Sequence, residues 1–142
     1  MALLPQDPRE RWIDLGLWAL AFLAAATTSY LSFGPSPPGA NAFPGADKLM
    51  HATAYFVTVS FALLAGVWRP GRGEGPFARH AWVLLGGALA VGGGIELLQA
   101  MVGRDADVRD WVADLAGVGL AWLANRALKT WVPAAVVVEE PG

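Results

Sequence analysis

The feature that limits this chain most is the gathering of its apolar residues into four blocks, at residues 12–31, 47–68, 81–102 and 110–128. Each is about twenty residues long, and a helix of that length matches the ~30 Å hydrocarbon core of a bilayer. Hydrophobic residues make up 55% of the chain and charged ones only 15%, which leaves little material for a soluble domain. The expected fold is all-α, an integral membrane bundle of four transmembrane helices. Residues 1–11 form an N-terminal segment, residues 12–131 the membrane domain and residues 132–142 a short tail.

The stretches between the blocks read as connections. Residues 32–46 are rich in proline, which lacks the N–H a helix needs, and in glycine, which supplies turn geometries. Residues 69–80 carry three arginines and several glycines and read as a flexible, solvated loop. The first block has a second reading as a cleaved signal peptide, since Arg9 and Arg11 precede it and Ala24, Ala25 and Ala26 supply small residues. Trp68, Trp82, Trp111 and Trp131 stand near block ends, as interfacial tryptophans do. Two runs of small residues at four-residue spacing, Gly86–Ala90–Gly94 and Ala113–Gly117–Ala121, are expected packing seams. Such seams serve a homo-oligomer as readily as a monomer.

Orientation follows from the basic residues. In a four-span arrangement Arg9, Arg11, Arg69, Arg72, Arg79, Arg126 and Lys129 share one side, and Lys48, Arg104 and Arg109 the other. By the positive-inside rule the first side is cytoplasmic, with both termini there, in a multi-pass protein of a bacterial plasma membrane. The net charge of -2 gives no electrostatic case for nucleic acid. With no cysteine, neither a disulfide nor a thiolate site can form.

The polar residues that do fall inside the blocks are then concentrated toward the outer face. Asp47, Lys48, His51 and Tyr55 begin the second block, Glu96 and Gln99 end the third, and Asp110 and Asp114 begin the fourth, with Arg104 between. Ionisable groups in a bilayer are costly and mark functional sites. Asp47, His51, Glu96 and Asp110 are the candidate catalytic groups, and Lys48, Tyr55, Gln99, Arg104 and Asp114 the candidate ligand-binding ones. Asp47 and His51, four residues apart, have the spacing of a carboxylate orienting an imidazole base. Ser29 and Ser32 are the only serines at a suitable level for a nucleophile. Lys48 and Arg104 suit a phosphate or carboxylate. Asp47, Glu96, Asp110 and Asp114 offer oxygen ligands to a hard divalent cation, and His51 could add one nitrogen; zinc is less attractive, with one histidine on that side and no cysteine. No dense ligand motif is present, so the sequence assigns neither metal nor cofactor.

The order Asp47-Lys48-x-x-His51-x-x-x-Tyr55-Phe56, then Glu96-x-x-Gln99, then Arg104 and Asp110 before a glycine-bearing last block, resembles the VanZ-like family. The resemblance runs over about residues 12–131. It implies a small polytopic membrane protein whose polar positions fall on Asp47, Lys48, His51, Tyr55, Glu96, Gln99, Arg104 and Asp110. Asp114 stands where the family commonly has asparagine, which adds a negative charge. The family's name comes from a protein associated with resistance to the glycopeptide teicoplanin. The expectation is therefore recognition or processing of a lipid-linked or peptidoglycan-related anionic envelope molecule, with a membrane lipid or envelope precursor as partner. The alternatives are a scaffold or accessory subunit whose polar cluster is structural, and a small transporter. Four short spans without an inverted repeat argue against the transporter.

Overall fold

The structure, a computed structural model, describes residues 8–33, 38–69, 73–74, 77–101 and 107–132. Four α-helices dominate it: α1 (Pro8–Phe33), α2 (Ala46–Gly66), α3 (Ala81–Met101) and α4 (Val108–Trp131). Three segments, Arg11–Phe33, Ala46–Gly66 and Ala78–Met101, are long and apolar enough to cross a membrane. Helix α4, which carries Arg109, Asp110, Asp114, Arg126 and Lys129, is the most polar.

Helix α2 occupies the centre, packed along α4 on one side and α1 on another, with α3 against both α2 and α4. Its inward stripe is Tyr55, Val59, Leu63 and Gly66, the 3.6-residue period of a single face. The inward stripe of α4 is Asp114, Gly117, Val118, Ala121 and Asn125, and that of α3 is Gly92, Ile95, Glu96 and Gln99. Outside, Phe22, Leu97, Leu98, Leu120 and Leu123 are exposed. Polar groups inward and large apolar ones outward is the arrangement expected where the surroundings are lipid. Helices α2 and α4 run in the same direction, since Lys48 meets Asp110 at one end and Trp68 meets Asn125 at the other.

Local signals explain the helix starts. Gly45, at φ 85°, turns the chain into α2 through a left-handed conformation that costs a β-carbon residue far more than glycine. Asp47 sits in the first turn of α2, at the positive end of the helix dipole. Asp107 caps α4, its side chain accepting from the Arg109 N–H at 2.9 Å.

Three expectations are corrected. The connection after α2 is not simply a solvated loop: β1 (Trp68–Arg69) and β2 (Gly73–Glu74) pair antiparallel, and Ala78–His80 forms a 3-10 turn. Trp68 is not an interfacial anchor. It is 3% exposed, drawn into the core by the β1 turn-back, and its carbonyl accepts from Asn125 Nδ2 at 3.2 Å. Trp82 and Trp131 are exposed, as anchors should be. Of the two small-residue seams, Ala113–Gly117–Ala121 packs: a Cβ at Gly117 would drive into the Ala52 carbonyl of α2. The Gly86–Ala90–Gly94 seam faces outward over Gly86 and Ala90, because Gly92 instead leads the inward stripe of α3.

Candidate functional site

Where α2 and α4 begin and α3 ends, side chains from three helices converge. Lys48 is the hub: its ammonium lies 2.8 Å from Asp47 Oδ2, 2.7 Å from Asp107 Oδ2 and 2.5 Å from Asp110 Oδ1. Asp107 lies outside the membrane-spanning segments. The Lys48 ammonium donating to it holds its carboxyl below the usual aspartate range.

One turn deeper, His51 Nδ1 is 2.9 Å from Asp114 Oδ1. Asp114 is 1% exposed. This contact fixes the ring, with Nδ1 toward Asp114 and Nε2 on the side away from that carboxylate. His51 Nε2 faces Asp110 Oδ2 at 3.9 Å. From α3, Glu96 Oε2 accepts from the Asp107 N–H at 3.1 Å, tying the end of α3 to the cap of α4. Gln99 Nε2 donates to the Ser32 carbonyl at 2.5 Å, tying the same end of α3 to α1.

The glycine at 92 makes room for the deepest layer. A Cβ there would lie 2.8 Å from both Asp114 Oδ2 and the Tyr55 hydroxyl. A side chain there would force Asp114 or Tyr55 to shift before α3 could close over that pair.

Two small cavities adjoin the cluster. One, of about 160 Å³, lies between α1 and α2 and is lined by Thr28, Leu31, Ser32, Met50, His51 and Ala54. The other, of about 120 Å³, is bounded by α1, α2 and α3 and includes Ser29, Tyr55, Thr58 and Ile95. The Thr58 hydroxyl is buried there without a hydrogen-bond partner.

Of the residues expected from the sequence, Asp47, Lys48, His51, Tyr55, Glu96, Gln99, Asp110 and Asp114 are all in or beside this assembly. Arg104 lies outside the described residues. The expected pairing of Asp47 with His51 is corrected: Asp47 sits at the rim on Lys48, and Asp114 orients the imidazole. Sharing a helix face was not enough, because His51 points between α2 and α4, where a carboxylate from the next helix is closer. The serines are not aligned as nucleophiles either, since Ser29 and Ser32 donate back to the Ala25 and Thr28 carbonyls of their own helix. Asp107, part of the same polar stretch but not among the expected site residues, joins the cluster through Lys48 and Glu96. Its signal was present as an aspartate immediately before an amphipathic run, the mark of an N-cap.

Chemically, the arrangement offers an oriented imidazole, carboxylates at two depths and a lysine saturated by acids. Compared with protein-family models, with characterised proteins and with solved structures, the chain matches none.

Proposed function

We propose that this chain is a four-span protein of the bacterial plasma membrane, with both termini cytoplasmic, whose outward-facing polar site recognises or processes a lipid-linked, peptidoglycan-related envelope molecule. The observation that carries this reading is the position of His51. It belongs at once to the polar cluster, through Asp114, and to an apolar-walled cavity between α1 and α2. A molecule with a polar head and an acyl or isoprenoid chain has that same division. The seven basic residues on the opposite side support the outward orientation. Resemblance to the VanZ-like family supports the substrate class and extends the proposal to glycopeptide tolerance. His51, fixed through Nδ1 by Asp114, turns its Nε2 edge toward the ligand. Glu96 and Asp110 flank it, and Arg104 meets the anionic part of the ligand.

The test is the lipid that travels with the protein. Mass spectrometry of extracts from purified protein should find a phosphate- or sugar-bearing lipid enriched over bulk membrane, and lost in Glu96→Gln and Asp110→Asn. Bulk composition in the parent protein would overturn the reading.

A second reading, a non-catalytic scaffold, is favoured by one observation. Lys48 is bonded by three carboxylates from within the chain, as expected of a structural lock between α2 and α4. It expects Lys48→Met to lower thermal stability while leaving no bound lipid to lose.

A further inference from the structure

We infer that His51, Glu96 and Asp110 form a binding site for one divalent first-row transition cation, of the Zn²⁺ or Mn²⁺ kind. One donor atom from each of the three lies within 4.8 Å of the other two, and the residues come from α2, α3 and α4. Bonds of about 2.1 Å put two ligands of one ion about 3.4 Å apart at a tetrahedral angle and at most about 4.2 Å apart when opposite. The 3.9 Å between His51 Nε2 and Asp110 Oδ2 is already inside that span. Separations of up to 4.8 Å close onto one ion with movements of roughly an ångström, within reach of side-chain rotation.

The surroundings are those of a held ligand set. Metal-binding histidines donate their second nitrogen to a carboxylate or carbonyl, and ligating carboxylates are themselves hydrogen-bonded. Here His51 Nδ1 is held by Asp114, Asp110 Oδ1 by Lys48, and Glu96 Oε2 by the Asp107 N–H. Each of the three residues is thus anchored at one donor atom from outside the triangle. Charge agrees. Among the described residues of the cluster, the carboxyl groups of Asp47, Glu96, Asp107, Asp110 and Asp114 outnumber the cations Lys48 and Arg109, an excess that a divalent cation would offset.

The donor chemistry narrows the ion. One imidazole nitrogen with two carboxylates suits zinc or manganese, whereas calcium and magnesium prefer oxygen throughout. Three protein ligands also leave coordination positions open, unlike a closed structural site. Those positions would take an anionic oxygen of a ligand, which an acid-rich pocket would otherwise repel. The cation site rests on this geometry alone, not on the envelope ligand proposed above, and its test contains no lipid.

Protein stripped with a chelator in detergent should take up one Zn²⁺ or one Mn²⁺ per chain in an equilibrium titration. Glu96→Gln and Asp110→Asn should each weaken uptake at least about tenfold, and Asp114→Asn about 10- to 100-fold through the imidazole it orients. Pulsed electron paramagnetic resonance of the Mn²⁺-loaded parent chain should show coupling to a nitrogen nucleus. That coupling should persist in His80→Ala, which removes the only other histidine and leaves the cluster untouched. Absence of stoichiometric uptake, absence of nitrogen coupling, or its loss in His80→Ala would overturn the assignment. So would unchanged affinity in both carboxylate variants.

Discussion

At the end of the bundle where α2 and α4 begin, ionisable groups from three helices meet within a few ångströms. At the end where α2 finishes, the described polar contacts are single and separate. Asn125 donates to the Trp68 carbonyl in the core, and Lys129 meets Glu74 at 2.7 Å on the surface. The near end ties α4 to α2 and the far end ties it to the β1–β2 turn-back that follows α2, so holding α4 in place does not itself require a network. One buried amide and one exposed ion pair suffice at the far end. The surplus at the near end, with its oriented imidazole, is what a binding or reacting site needs and a mere clamp does not.

The comparison can be broken by substitutions at either end. The largest effect is expected at Asp114. Replacing it with alanine strands His51 and empties a fully buried position, which should cost about 3–5 kcal/mol in thermal or denaturant unfolding in detergent. A loss no greater than that of the far-end variants would erase the distinction between the two ends. Next comes Gly92→Ala, whose added methyl competes with Asp114 Oδ2 and the Tyr55 hydroxyl for the same space. It should destabilise by about 1–3 kcal/mol and, unlike a remote packing defect, abolish binding at the site. Asn125→Ala should cost about 1–2 kcal/mol, since the buried Trp68 carbonyl loses its donor, while binding at the near end stays unchanged.

The smallest expected effects are those of acid on two ion pairs, the part-buried Lys48–Asp107 and the exposed Lys129–Glu74. Asp107 and Glu74 are both held below their ordinary values of 3.8 and 4.5 by their lysine partners. A carboxyl depressed in the folded state adds stability that is complete above its unfolded value and drains away as pH falls through the folded one. Melting curves between about pH 6 and about pH 3 should therefore decline in the parent chain. The decline should be shallower in Asp107→Asn and, to a lesser degree, in Glu74→Gln. Equal changes in the two variants would mean that the near-end network adds nothing beyond a surface pair.

The helices were legible in the sequence because bilayer-length apolar blocks leave few alternatives, and their ends lay within a few residues of those expected. The α1 helix begins earlier, at Pro8, since the polar residues 8–11 continue the same coil. Legible too was which residues meet, because Asp47, Lys48, Glu96, Asp110 and Asp114 all had to sit at one end of an up-and-down bundle. Who bonds to whom was not. That depends on the rotation of each helix about its axis, which a few tens of degrees decide. Such a rotation gave His51 to Asp114 and left Asp47 at the rim. The turn-back at Trp68 was equally hidden, because a two-residue ladder has no periodicity to read.

Helix α4 holds a further consequence, for the making of the protein. In the four-span arrangement proposed above, α4 must enter lipid carrying Asp110 and Asp114 near its outer end, where each costs less than the ~2.5–3.5 kcal/mol of an unaccompanied aspartate at mid-membrane. Their partners, Lys48 and His51, belong to α2, which leaves the ribosome earlier. The small seam at Gly117 lies where α4 docks against Ala52 of that helix. Order of synthesis thus becomes part of the fold: the last helix inserts as a tenant of a berth already built, and a chain lacking α2 should leave α4 stranded outside the bilayer.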